Sequence, residues 1–521
     1  MASTRNQQVL AEHQARFEQQ VVGGKEFVKL LREIDAHAYR FEQDKLDRHR
    51  WWIYITLPAH VRETFDLRLD VLCLSASYDR VEPRSLTLIA ERLRGRNDAR
   101  LDPDFAILFT QDQGAADLVR RRRGQLAILT INSHDLMSGP GIGLRERIAE
   151  IMTTHDHYDL TRPITEPAAF YGRQAEVAEL HFALDRGQSV GVFGLRKAGK
   201  TSLLNFVSGQ RKENDKPVVS LDISAVQTAE HFQLTLLERC HDIIRQRELK
   251  PPRLMSLTRE GIPNPTVSIG TYWIRDLNAM LDALPDRLEL FVDEIDQAWP
   301  SRSNLGEEQA NAVLLCLNQL RGVVQSREAD GKHGVAIVCA GVDPAIFEKP
   351  LLGKRDNMLY KFARLSFLSP MKRDEMREMV RSLGKRMALR YSDHRTIDFL
   401  YQEFGGHPLL TRKACSVAAR KRPPDEIPWH VPLSALEEAA QTRGHNTPQS
   451  EVQDVLDSFT EWFGDEAAML PLLWSEDQAE REEAREWVRN EPDMAAHLMS
   501  YGITDDDWAP RIHAMRALVV G

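Results

Sequence analysis

The chain has 521 residues, a net charge of −9, 42% hydrophobic residues and 28% charged residues. That length is too great for one hydrophobic core and predicts about three domains, and the composition is that of a globular protein rather than a disordered or fibrous one. The longest apolar run, around Val335 to Val342, is far short of the roughly 18 residues a membrane helix needs, and the polar start MASTRNQQ does not resemble a signal peptide.

Five cysteines, Cys73, Cys240, Cys316, Cys339 and Cys415, lie scattered without a C-x-x-C pair. This pattern predicts free buried thiols in a cytoplasmic protein and argues against a zinc site. Charge is distributed unevenly. From Glu451 to Gly521 there are 17 acidic and 5 basic residues, net −12, which leaves the first 450 positions at +3. An acidic C-terminal segment repels nucleic acid, so any such contact is expected on a surface elsewhere.

Residues 1 to about 50 are polar with helical spacing. Phe27, Leu30, Leu31 and Ile34 form one stripe, and Gly23-Gly24 divides the segment into two helices. From Leu67 three apolar runs, LRLDVLCLSA, DFAILFT and LAILTI, alternate with helical patterns at SLTLIAERL and AADLVRRR. The alternation predicts a small α/β domain with a partly parallel sheet. Asp104, Asp112 and Asp135 fall near predicted strand ends and read as loop carboxylates that cap helices, because no lysine accompanies them in a nuclease pattern. The run Arg120 to Arg123 reads as a solvated helix end, with a phosphate or acidic partner as the alternative. GPGIG, a polar helix and TTHDHYDLTRPITEP lead into the next domain, with His155 and His157 as loop residues rather than metal ligands.

The stretch SVGVFGLRKAGKTSLLNF, Ser189 to Phe206, is an apolar strand, a glycine-flanked loop and a helix, with G-x-x-x-x-G-K-T starting at Gly194. This is the phosphate-cradling pattern of P-loop nucleotidases. Gly194 and Gly199 let the backbone wrap close to phosphates, with the N–H groups of Lys197, Ala198, Gly199, Lys200, Thr201 and Ser202 facing the anion. Lys200 supplies charge to the β/γ-phosphates and the Thr201 hydroxyl is a Mg²⁺ ligand. In LELFVDEID, Leu288 to Asp296, an apolar strand ends in carboxylates. Asp293 is placed to hold the Mg²⁺ shell and Glu294 to polarise an attacking water.

FYGR-x-x-E from Phe170, followed by VFGLRKAGKTSLL, resembles the archaeal-type ATPases and the related signal-transduction ATPases with numerous domains (STAND), relatives of the AAA+ class. The resemblance covers roughly residues 166 to 521. It implies ATP or ADP with Mg²⁺, with Tyr171, Gly172 and Arg173 near the adenine or the lid. It also implies an additional strand between the two motif strands, and PVVSLDIS, Pro217 to Ser224, is a candidate neighbouring strand. GVAIVCAG, Gly334 to Gly341, resembles the strand whose end senses the γ-phosphate. Relatives carry Ser, Thr or Asn there, whereas this chain has Cys339, Gly341 and Asp343. Arg355 stands where relatives often carry an arginine that reaches a neighbouring subunit's nucleotide, and a surface ion pair is its other reading. Gly406-His407-Pro408 resembles the lid G-x-P, which puts His407 and Pro408 on the nucleotide. Pro408 also suits the first turn of a helix on its own account.

The Pro-rich stretch 421–432 reads as a linker, and AHLMSYGITDDDWAPRIHAMRALVV, with its glycine corner, acidic turn and β-like end, resembles a winged helix. The expected architecture is therefore α/β: an N-terminal helical and α/β domain over 1–145, a linker over 146–165, a P-loop ATPase core of the ASCE class over 166–370, a helical lid over 371–430 and an acidic winged-helix-like domain over 431–521. The resemblance implies a nucleotide-driven signalling switch, a slow or partner-stimulated ATPase in prokaryotic regulation or defence against invading elements. The N-terminal domain would be its effector or docking module, with a protein partner or self-association and no membrane. A DNA-associated loader similar to origin-recognition ATPases, and a static ADP-holding protein, are the alternatives.

Overall fold

The computed structural model describes residues 2–95, 100–121, 126–138, 143–154, 156–159, 163–164, 170–226, 228–258, 260–264, 266–299, 306–352 and 355–520. The chain divides into two compact units. The first comprises Met1–Leu160, Arg377–Phe399 and Arg412–Thr442, and the second Thr161–Met376, Leu400–Thr411 and Arg443–Gly521. Residues expected to form one lid are thus shared between the units.

The first unit is built on a five-stranded sheet of β1 (His37–Gln43), β2 (Arg50–Thr56), β3 (Asp70–Ala76), β4 (Leu101–Thr110) and β5 (Ala127–Asn132), in spatial order 1-2-3-4-5. β1, β2 and β3 pair antiparallel, and β3, β4 and β5 parallel. Side chains alternate across a strand, and both faces are covered. Trp51, Ile53 and Ile55 enter a core with Phe17, Phe27 and Phe109, while Trp52 and Tyr54 enter one with Leu74, Ile89 and Leu108. The stretch before residue 50 is therefore not helical throughout. Helices Ala2–Gln20 and Gly24–Arg32 break at Gly23 as expected, and strand follows from His37. Gly23 has φ +77°, and a Cβ there would lie 2.8 Å from the Ser133 Cβ.

Asp104 pairs with Arg386 at 2.7 Å, and the buried Asp102 pairs with Lys385 at 3.1 Å. Asp112 accepts the backbone N–H groups of Val81 and Gly114, and Asp135 lies in the first turn of helix Ser133–Met137. Of the arginine run, Arg120 pairs with Asp117 on the surface, while 122 and 123 lie outside the described residues, as do His155, all of 139–142 and most of 160–169. The His157 backbone N–H donates to the Met387 sulfur at 3.3 Å. In the stretch 421–432 Lys421, Pro424, Asp425, Glu426, His430 and Pro432 are exposed, and its end is anchored. Strand Trp429–His430 pairs in parallel with Leu389–Arg390, and Trp429 and Val431 are buried.

The second unit holds β6 (Val190–Phe193), β7 (Val218–Asp222), β8 (Leu288–Asp293), β9 (Val335–Gly341), the short pair β10 (Leu351–Leu352) and β11 (Arg355–Asp356), and β12 (Arg364–Phe367). Its main sheet has the order β12-β6-β9-β8-β7, parallel throughout. Such a sheet needs both faces covered. Helices Gln174–Asp185 and Lys200–Glu213 pack Leu180, Leu203 and Val207 on Val190, Val192 and Val338. The strand between the two motif strands is β9, and β7 is the outer neighbour of β8.

The C-terminal part of this unit is helical: Pro448–Trp462, Gly464–Leu473, Gln478–Arg489, Pro492–Ser500 and His513–Val519. The β-like end expected after the acidic turn is instead the last of these helices, preceded by an isolated bridge between Thr504 and Pro510. All five cysteines are free and buried. Among the described residues no helix is long and apolar enough to cross a membrane.

Candidate nucleotide site

β6 is buried along its length and is followed by Gly194, where a Cβ would lie 2.8 Å from the Leu368 carbonyl oxygen. Only glycine permits that approach. The loop then takes two left-handed residues, Lys197 (φ +61°) and Gly199 (φ +105°), before helix Lys200–Glu213 begins. A non-glycine residue held left-handed is strained by about 1 kcal/mol or more. Such turns aim successive N–H groups into one concavity, and the helix N-terminus adds its positive end.

Lys200 is 7% exposed. Its Nζ donates to the carbonyls of Gly194 at 2.9 Å and Leu195 at 3.0 Å, which fixes the ammonium in the loop with one proton unspent. Burial lowers its pKa, and Asp296, Glu294 and Asp293 work in the other direction. Thr201 is half-buried in the first turn. Ala198 is buried, and its carbonyl accepts from Arg173 at 3.4 Å. The Ser202 hydroxyl is turned away to accept the Ile164 N–H at 2.9 Å.

At the end of β8 the Asp293 carboxylate accepts the Glu294 N–H at 3.0 Å. Glu294 is left-handed at φ +53° and opens the short 3-10 turn Ile295–Ala298. Burial raises the Glu294 pKa, partly offset by Lys200. The turn carries Asp296, which the sequence reading passed over, back under the strand ends. Asp296 is 2% exposed, one carboxylate oxygen accepts the Val342 N–H at 2.9 Å, and the other is buried without a partner. Burial, followed by the charge of Glu294, raises its pKa to about 7. Gly341, at the end of β9, makes the space: a Cβ there would lie 1.8 Å from the Asp296 Oδ1. Of the other candidates at that strand end, Cys339 is buried and the Asp343 carboxylate accepts the Ala345 N–H.

The turn Gly405-Gly406 is left-handed at both residues, and a Cβ on Gly406 would lie 2.1 Å from the Met371 carbonyl oxygen. It delivers His407 to the loop. His407 is fully buried, and neither ring nitrogen makes a hydrogen bond of normal geometry. Burial lowers its pKa to about 4, the Arg196 backbone opposes this, and the charges of Arg173, Lys200 and Lys197 lower it further. Pro408 is the first residue of helix Pro408–Ala419.

Arg173 is 5% exposed and engages Glu176, the Ser369 carbonyl and the Ala198 carbonyl, while its own N–H donates to Glu375. Arg173 thus makes an ion pair with Glu176 at the start of helix Gln174–Asp185, and the same guanidinium ties the segment at Gly172 to the loop. Tyr171 is half-buried beside it. Lys197 reaches Glu451 in helix Pro448–Trp462 at 2.8 Å, a contact 254 residues away with no local signal in the sequence. Arg355 lies on β11, paired with β10, and its side chain is outside the described residues.

The structure therefore gathers Lys200, Asp293, Glu294, Asp296, His407, Arg173 and Lys197 around one loop. No family model matches the chain, and no curated protein matches it. Among solved structures it is similar to a Walker-type ATPase of Pyrococcus abyssi at 15% identity, covering 69% of this chain and 99% of that one with a TM-score of 0.45. It is similar also to the ORC2 protein of Aeropyrum pernix (14%, 70% and 96%, TM-score 0.38) and to Cdc6p of Pyrobaculum aerophilum (13%, 70% and 96%, TM-score 0.31). These are likenesses of outline, and the reading of the site rests on its own geometry. With its glycine loop running from β6 into a lysine-headed helix, and β9 inserted between that strand and the carboxylate strand, the second unit has the P-loop nucleotidase fold of the class with an additional intervening strand.

Proposed function

We propose that the chain binds ATP and ADP at residues 194–202 and hydrolyses ATP slowly as a signalling switch in prokaryotic regulation or defence, with the N-terminal unit as effector or docking module. The observation that carries this reading is His407. A fully buried imidazole whose nitrogens make no hydrogen bond of normal geometry, with only the Arg196 backbone acting on the ring, costs about 1–3 kcal/mol for a lost partner. A group that hydrogen-bonds it beside Lys200 recovers that cost. A nucleotide phosphate or hydroxyl is such a group.

The residues present fit nucleotide and metal. Lys200 keeps a proton free, and Thr201 and Asp293 are half-buried hard-oxygen ligands of the kind Mg²⁺ takes. Bound Mg²⁺ would neutralise phosphate charge. Glu294, its proton affinity raised by burial, is the residue suited to take a proton from water. Asp296 holds the end of β9 through the Val342 N–H. A switch follows if the 405–408 turn favours one nucleotide state, because a ligand shifts such an equilibrium only by its differential affinity.

Titration of the full chain with ATP and ADP tests the reading. His407→Ala should weaken one nucleotide more than the other, by about 5- to 100-fold. Equal affinities in wild type and variant would leave a static nucleotide-holding protein.

A further inference from the structure

The residues from Glu451 onward carry only five arginine or lysine side chains against 17 carboxylates. Three of those five, Arg481, Arg485 and Arg516, line a single cavity of about 710 Å³ together with His513. Positive charge in this segment is thus collected in one place, against its net sign. Among the described residues none of the three guanidiniums forms an ion pair. Arg481 is fixed by donating to the carbonyls of Ser475 and Glu476. The Arg485 Nε is buried without a partner.

A second observation points the same way. Trp474 lines the cavity, is 2% exposed, and its indole N–H has no acceptor. Leu473 and Pro510 complete an apolar wall beside it. The carboxylates at the site are Glu476 on the wall and Glu403, whose charge acts on His513. The volume falls within the range of small-molecule sites, in which apolar walls with a few convergent polar groups fix the ligand.

We propose that this cavity binds an organic phosphate monoester carried on a planar ring. Three guanidiniums suit the three terminal oxygens of a dianion better than a single carboxylate. The indole N–H is a further donor, and the wall of Leu473, Trp474 and Pro510 takes the ring. Past Pro510 the chain packs Arg511 and Ile512 on Gly405, two residues before His407.

The test is titration calorimetry of the full chain, with the P-loop saturated by ADP, against phenyl phosphate, AMP and inorganic phosphate. Phenyl phosphate or AMP should bind saturably below about 1 mM and at least about tenfold more tightly than inorganic phosphate. Tighter binding of AMP assigns a nucleotide source, and tighter binding of phenyl phosphate assigns a simpler aryl ester. The double variant Arg485→Gln, Arg516→Gln should weaken binding at least about tenfold while ADP affinity stays unchanged, which shows that the unit is folded. Should that variant misfold, Trp474→Phe removes the indole N–H while keeping a smaller aromatic ring in the wall, and should weaken binding at least about threefold. Absence of saturable binding, or binding that neither variant alters, overturns the proposal.

Discussion

Asp296 is the one carboxylate of the site whose environment makes a large and signed prediction. Its pKa rises from 3.8 in the unfolded chain to about 7 in the fold, first through burial and then through Glu294, with Lys200 opposing. A group whose folded pKa is raised lends its full stability below the unfolded value and loses it as pH climbs through the folded value. The protein without nucleotide should therefore lose stability between about pH 4 and pH 7 and level off above. The distance from 3.8 to about 7 corresponds to at most about 4 kcal/mol, and coupling to Glu294 and Lys200 reduces it. Asp296→Asn keeps an oxygen for the Val342 N–H and cannot ionise. The variant should exceed wild type by about 1–2 kcal/mol at pH 5 and by about 2–4 kcal/mol at pH 8. Urea unfolding at pH 5, 6, 7 and 8 provides the measurement, read on the transition that ADP shifts, because two compact units need not unfold together. Parallel pH dependences in variant and wild type would refute a raised Asp296 pKa.

Lys200→Ala should remove tight nucleotide binding, since it deletes the ammonium fixed between the Gly194 and Leu195 carbonyls, and wild-type ATP affinity in equilibrium dialysis would sink the loop's assignment. Glu294→Gln should retain ATP within about threefold but stall single-turnover hydrolysis about 100-fold or more, as expected on removal of a general base. An unchanged single-turnover rate would move that role to another residue. At His497 burial is outweighed by Glu348 and Glu466, which raise its pKa to about 9. Its contribution should be complete below pH 6.5 and lost as pH rises to about 9, and thermal unfolding of His497→Gln across that window should show a flatter dependence than wild type.

Much of the fold is legible because its central strands are buried on both sides and so read as continuous apolar runs. β6, β8 and β9 are of this kind, as are β3, β4 and β5. β1 was not legible: its residues HAYRFEQ are mostly half-exposed, and a helical stripe at Phe27 to Ile34 ends just before it. β12 failed for the same reason, with no fully buried position. The C-terminal ALVV suggests strand by composition, yet Ile512 and Met515, three apart, both bury. That spacing belongs to one face of a helix.

The site divides along a physical line. Residues proposed through a fixed local pattern, Gly194, Gly199, Lys200, Asp293 and Glu294, could be proposed from sequence because the backbone geometry the pattern requires is short-range. Asp296 could not, although it stands two positions from Glu294, because its placement needs a left-handed Glu294, a 3-10 turn and a glycine on another strand. In retrospect one signal was present. Gly341 ends an otherwise fully buried strand, and a missing Cβ at a buried strand end marks something else that occupies the space. Here that occupant is a carboxylate from the neighbouring strand's turn, which bonds the backbone just beyond Gly341. A polar group thus stands at the end of β9 after all, supplied by another segment of chain, and a substitution at Gly341 should perturb the same pH dependence as one at Asp296.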